Sequence, residues 1–293
     1  MSEKETLAEL IAAAEAGDAE ALLRLTRCYR HGSRALAIEE DAALAEEYGK
    51  RAEAALRALA EGGDADAAFS LGLAYLEDDL PGDTGEEAIL WLRRAAEADH
   101  PAALCELGLQ YTTDCLLPPD PTEAVRLFRR AFDMGFARGA YHLGQMYAGG
   151  AGVPQSGGIA LALYTFAAEN GYYPAMVSLG IAAEMGVVCE QDYALAAHWY
   201  ERALGGRQGA AYYRLGKLYA EGRGVPLSHA KAIELYREGI SFGSKICAYE
   251  LAGMYERGYG VTPDREEAIR LYRVAAEGGH GPSRERLATL LSE

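Results

Sequence analysis

Apolar residues along this chain fall in columns that repeat every 36 residues, and the columns have the spacing of paired helices. Leu71, Leu107, Leu143, Leu179, Leu215 and Leu251 stand 36 residues apart, and all but the last are followed by glycine: Gly72, Gly108, Gly144, Gly180 and Gly216, with Ala252 in the final copy. Four residues after each leucine comes Tyr75, Tyr111, Tyr147, Ala183, Tyr219 or Tyr255, and four before it Ala67, Ala103, Gly139, Ala175, Ala211 or Cys247. Positions i, i+4 and i+8 share one stripe of an α-helix, here helix A. A second helix, B, carries columns at Ala88, Ala124, Ala160, Ala196, Ala232 and Ala268, and at Leu92, Phe128, Tyr164, Tyr200, Tyr236 and Tyr272. A third column, at Ala95, Ala131, Ala167, Ala203, Gly239 and Ala275, lies three residues further on and completes one buried side.

Glycine inside a helix costs about 1 kcal/mol against alanine, so its recurrence beside the leucine predicts a neighbouring backbone too close for a Cβ. Trp91 and Trp199 share one helix B position that is otherwise leucine, and are expected in the core. Breakers separate A from B: GGAGVPQ from Gly149, EGRGVPL from Glu221 and RGYGVTPD from Arg257. Glycine there admits positive φ and proline ends helical continuation. In the last copy Asp264 reads as a helix cap, with Glu266 placed to pair with Arg270 one turn on. Glycines 63, 135, 171, 206, 243 and 279 mark equally short turns from each B to the next A, which makes the pairs antiparallel.

Leu25 and Tyr29 repeat the Leu-to-Tyr spacing 46 residues before Leu71, so an earlier copy carries ten extra residues between His31 and Asp41. The expected organisation is a single all-α solenoid over residues 1–293. It has an N-terminal half repeat at 1–17, an expanded first repeat at 18–63, six 36-residue repeats over 64–279 and a closing polar helix at 280–293.

Composition narrows the function classes. Forty-four acidic against 28 basic residues leave a formal charge of −16, with no lysine or arginine run, which argues against a nucleic-acid partner. No apolar run is long enough for a signal peptide or a membrane span, so the expected location is the cytoplasm, with no membrane partner. Cys28, Cys105, Cys115, Cys189 and Cys247 lack Cys-x-x-Cys spacing and read as small buried hydrophobes, with a local Cys105–Cys115 bridge as the alternative. The six histidines form no zinc helix, and the glycine-rich GRGV and GAGV stretches follow no strand and lack the lysine of a phosphate loop. No catalytic residue, cofactor site or metal site is expected.

The Ala-x-x-x-Leu-Gly-x-x-Tyr spacing followed by Gly-x-Gly-Val-Pro, clearest in GAYHLGQMYAGGAGVP at Gly139 and AAYYRLGKLYAEGRGVP at Ala210, resembles the Sel-one-like repeat family, a relative of tetratricopeptide repeats. The resemblance implies a right-handed αα superhelix whose concave face, lined by helix A, binds proteins. On that footing the residue before each leucine and the one two after it form the floor of the face. These include Glu106, His142, Arg214 and Glu250 in the first column, and Gln145, Ile181 and Lys217 in the second. Ile181 and Met185 would give apolar contact, and Arg214 with Lys217 a basic pair, suited to a peptide with acidic and apolar anchors. The opposing reading makes Arg214 and Lys217 solvated charges near Glu221. The function expected is a protein- or peptide-binding adaptor, with self-assembly into a homo-oligomer, or less favourably a small-molecule hydrolase, as alternatives.

Overall fold

The computed structural model describes residues 6–33, 35–81, 84–187 and 190–292. Cys189 and part of the connection that begins at Gly186 therefore lie outside the described residues. The chain forms two compact units, Met1–Pro154 and Gln155–Glu293. The first contains α1 (Leu7–Glu15), α2 (Ala19–His31), α3 (Ala42–Glu61), α4 (Ala65–Leu76), α5 (Thr84–Glu97), α6 (Pro101–Gln110), α7 (Pro121–Asp133) and α8 (Ala137–Gly149). The second contains α9 (Gly157–Glu169), α10 (Tyr173–Met185), α11 (Tyr193–Ala203), α12 (Gly209–Glu221), α13 (His229–Ser241), α14 (Lys245–Arg257), α15 (Arg265–Glu277) and α16 (Gly281–Ser292).

The fold is an all-α solenoid of antiparallel helix pairs. Within each unit A helices pack on their own B helices and those B helices on the next A, as in α4, α5 and α6 or α12, α13 and α14. A helices of successive pairs also touch, α6 with α8 and α12 with α14. Among the described residues the only strand-like pairing is an isolated bridge, Ser33 with Ile38.

That bridge sits in the ten-residue expansion. Three of the extra residues lengthen the connection after α2, and the other seven lengthen α3, which runs for 20 residues where later B helices such as α13 run for 13.

The helical columns are the core. The leucines from Leu71 to Leu251 are buried, and the helix B alanines from Ala88 to Ala268 are at most 2% exposed, which leaves no room for a larger side chain. The recurring glycine has a reason that differs from the expected one at most positions. At Gly72 a Cβ would meet the Leu92 side chain at 2.9 Å and also the helix B backbone, Leu92 N at 3.0 Å and Ala88 O at 3.2 Å. At Gly108, Gly180 and Gly216 it would instead strike the ring of Phe128, Tyr200 or Tyr236, at 2.6, 2.4 and 2.5 Å. Where helix B carries an aromatic ring, the glycine is the seat for that ring. Where it carries leucine, the backbones close the gap.

Of the two tryptophans, Trp91 is buried and donates its indole N–H to Glu87 at 2.8 Å. Trp199 is half-exposed under the Arg202 guanidinium, 4.6 Å from the ring centre, so only one of the pair is core. Cys105 is buried and burial pushes its thiol up to about 12, Cys115 is exposed, and the four described cysteines are unpaired.

The turns follow the glycine pattern closely. Gly150, Gly186, Gly222 and Gly258 stop their A helices in the left-handed conformation, each donating its N–H back to the carbonyl four residues earlier, as Gly222 does to Leu218. The chain then returns to the tyrosine column: the N–H of the helix B cap residue bonds the tyrosine carbonyl, Asp120 to Tyr111, Ser228 to Tyr219 and Asp264 to Tyr255, at 2.9–3.0 Å. Asp264 caps α15 as expected, but Arg270 pairs with Glu267 rather than Glu266, because three residues along a helix bring both oxygens of Glu267 within 2.6–2.7 Å of the guanidinium. At the junction containing Gly206 the positive φ falls on Arg207, since Leu204–Gly206 forms a 3₁₀ turn.

Candidate functional site

The polar residues of the A helices are the candidates for a binding face, and the fold uses many of them internally. In the first unit Glu106 on α6 accepts an ion pair from Arg138 on α8 at 2.7 Å. Arg138 also reaches His142 at 3.4 Å, the His142 ring bonds Gln145 at 3.0 Å, and Gln145 donates to the Tyr141 hydroxyl at 3.2 Å. His142 is buried against Phe128, ring centres 5.2 Å apart, and burial lowers its pKa to about 4, so the imidazole is neutral near pH 7. Three of the sequence-predicted contact residues, Glu106, His142 and Gln145, thus belong to one chain of intramolecular contacts.

In the second unit the predicted residues separate by role. Arg214 on α12 donates to Glu184 on α10 at 3.0 Å, and the same carboxylate oxygen accepts the hydroxyl of the buried Tyr200 on α11 at 2.6 Å. The basic pair expected of Arg214 and Lys217 is therefore divided, because Arg214 joins two adjacent A helices through Glu184. Glu221 is taken by Arg223 at 3.1 Å. Lys217 and Glu250 are half-buried, and among the described residues neither is in an ion pair or hydrogen bond. Met185 is 65% exposed at the end of α10, and Ile181 lies half-buried one turn before it.

The sequence places Tyr200 in a core column but gives no sign of Glu184 at the single repeat length, although the signal of the pair is present at twice that length. Seventy-two residues on, Glu256 accepts the Tyr272 hydroxyl at 2.8 Å and binds the Arg286 guanidinium. Glutamate, tyrosine and arginine thus form the same inter-repeat clamp twice, and the Arg286 contact holds the Glu256 carboxyl below its usual range. A second staple explains why tyrosine recurs on helix A. Arg57, Arg93, Arg129 and Arg237 on B helices each donate to the hydroxyl of the tyrosine 18 residues later, Tyr75, Tyr111, Tyr147 and Tyr255, at 2.8–3.3 Å. The pair at 201 and 219 is inverted in type, with Tyr219 donating to Glu201 at 3.3 Å.

Two cavities are relevant. One of about 930 Å³ in the first unit is bounded by α3, α5 and the connection after α6, with Leu90 and Leu116 exposed at its edge. Arg57 at its wall is already bonded to Glu53 and Tyr75. The other, about 190 Å³, lies in the second unit between α12, α13 and α14, and is lined by Lys217, Ala220, Tyr236 and Glu250 among others. Burial raises the Glu250 carboxyl despite the nearby Lys217 and Arg257. Among the described residues no group of three His, Cys, Asp or Glu side chains is arranged to hold a metal ion.

Comparison with known proteins agrees with this repeat frame. Seven stretches match the Sel1 repeat: residues 19–55, 65–100, 101–136, 137–172, 174–204, 209–241 and 246–280. A Sel1 repeat protein from Oxalobacter formigenes is similar at 29% identity and a TM-score of 0.70, over 96% of this chain and 79% of that one. The c5321 protective antigen of uropathogenic Escherichia coli, with an SLR fold, matches at 28% identity and a TM-score of 0.65 over 97% of this chain, which spans 59% of that protein's length. The immunity protein Pa5087 from Pseudomonas aeruginosa shares the fold at 23% identity and a TM-score of 0.52, over 75% of this chain and 83% of its own. No curated protein matches the chain.

Proposed function

We propose, for a chain that belongs to the Sel1 repeat family, that it is a scaffold binding a protein or peptide along the A-helix face of its second unit. The repeat is a frame for stacking helices, and its recurrent polar contacts join one repeat to the next. The observation that carries the reading is the division of polar groups on that face. Arg214 is spent on Glu184, whereas Lys217 and Glu250 lie half-buried near each other and, among the described residues, make no direct ion pair or hydrogen bond. Holding charges half-buried without a direct hydrogen bond costs stability, and a binding role accounts for that cost. On the same face Met185 offers an adaptable, exposed apolar contact beside Ile181. A partner segment with apolar anchors for Ile181 and Met185 and a polar group for the α12–α14 region fits these features.

Selection of random peptides on the immobilised full chain tests the reading. Peptides carrying an apolar anchor should be enriched, and Met185→Asp should weaken their binding by about tenfold, the loss of one buried apolar contact. Failure to enrich any sequence overturns the reading.

A further inference from the structure

The two clamps define what is missing between them. Their positions in the intervening repeat are occupied by Ala220 in place of Glu184 or Glu256, by Tyr236 in place of Tyr200 or Tyr272, and by Glu250 in place of Arg214 or Arg286. The tyrosine is kept while its acceptor is lost. The Tyr236 side chain is 2% exposed, and among the described residues its hydroxyl has no hydrogen-bond partner in the protein, the oxygen itself not being sealed from solvent. The cavity of about 190 Å³ opens beside it, where the glutamate side chain would stand.

We propose that this gap between α12, α13 and α14 receives a glutamate or aspartate side chain of the partner, whose carboxylate takes the place of the absent clamp glutamate and accepts the Tyr236 hydroxyl. The charges around the gap favour an anion. Lys217 and Arg257 line it and are in no ion pair among the described residues, while the Glu221 carboxylate is engaged by Arg223. Against those two cations stands the single carboxyl of Glu250, so one incoming carboxylate balances the site. A partner arginine, the alternative suggested by Arg214 in the sister clamp, would lie against Lys217 and Arg257 and would leave the Tyr236 donor unsatisfied. The volume exceeds that of several water molecules at about 30 Å³ each, enough for a carboxylate and its methylene.

This inference rests on the peptide-binding reading and names the chemistry its site would recognise. The test uses the full chain and three tripeptides, acetylated and amidated, with glutamate, glutamine or arginine between two alanines, titrated while the Met254 methyl resonance is followed. The glutamate peptide should give a saturable shift and bind about tenfold tighter than the glutamine peptide, the worth of a charge-assisted contact. Ala220→Glu, which restores the clamp from within, should abolish the shift. Tyr236→Phe should weaken binding about tenfold, and Glu250→Gln, by removing a like charge, should tighten it. Circular dichroism identifies a variant that fails to fold, and Tyr236→Phe then decides the question if Ala220→Glu does so. Equal binding of glutamate and glutamine, preference for arginine, or no saturable shift overturns the proposal. If library peptides are still captured in that event, the scaffold reading stands without this pocket; if none is captured, the reading itself fails.

Discussion

Replacing Gly224 by alanine is expected to cost about 2–4 kcal/mol, a large effect for the addition of one methyl group. Gly224 is the second glycine of the Gly-x-Gly turn after α12 and has φ +68°, a conformation in which a Cβ costs about 1 kcal/mol. The larger part comes from where that Cβ would point. It would lie 2.3 Å from the Tyr193 carbonyl carbon and 2.5 Å from the Ala194 nitrogen, at the first turn of α11, which is backbone and not a side chain free to swing away. Gly171 supplies the control, since at φ +82° it has nothing within 4 Å of the added Cβ. Gly171→Ala should therefore cost only the conformational part, about 1 kcal/mol. Urea unfolding followed by Trp199 fluorescence, in a Trp91→Phe background, reads both, because Trp199 lies in α11, the helix whose first turn Gly224 meets. Equal costs for the two alanines would show that close approach to the preceding repeat is not what the second glycine serves.

The Glu184 clamp carries the next largest expected effect. Glu184→Ala removes the acceptor of a hydroxyl on Tyr200, which is fully buried, and leaves Arg214 without its counter-ion. Stranding a buried donor and a part-buried charge costs about 2–3 kcal/mol. With the Glu184 and Arg214 side chains 20% and 30% exposed, the screened ion pair is the smaller share and the Tyr200 hydroxyl the greater. The double variant Glu184→Leu with Tyr200→Phe should therefore be more stable than Glu184→Ala alone, since it removes donor and acceptor together. A cycle of Glu184→Ala and Arg214→Ala should show coupling, whereas additive effects and a cost below about 0.5 kcal/mol would mean that Arg214 is the free surface cation the sequence suggested.

The frame was readable because it repeats. Leucine at 36-residue intervals, alanine columns and Gly-x-Gly turns each gave several independent views of one contact, and the chain folds as the expected all-α solenoid of antiparallel helix pairs. The expected reason for the glycine beside the leucine held at Gly72 but not at Gly180, because the partner there is the ring of Tyr200, a residue of another column. Polar contacts were harder to read. The neighbours of Arg214 along the chain point to a binding face, whereas its partner Glu184 is 30 residues away on the preceding A helix. That pairing recurs at 72 residues instead of 36, so a search at the single period passes over it. The arginine-to-tyrosine staples had a readable signal, the 18-residue spacing from Arg57 to Tyr75 and its later copies, which links one repeat to the next. The α12–α14 gap is a different case. It is recognised by what is absent relative to its sister clamps, and only their geometry identifies Ala220 as the missing acceptor.

Hydrogen exchange of the full chain, alone and with a peptide selected on it, tests the central claim most directly. The scaffold reading predicts slowed exchange in α10, α12 and α14, the A helices of the second unit, with the B helices α11 and α15 unchanged. Protection confined to those B helices, or to the first unit, would contradict it.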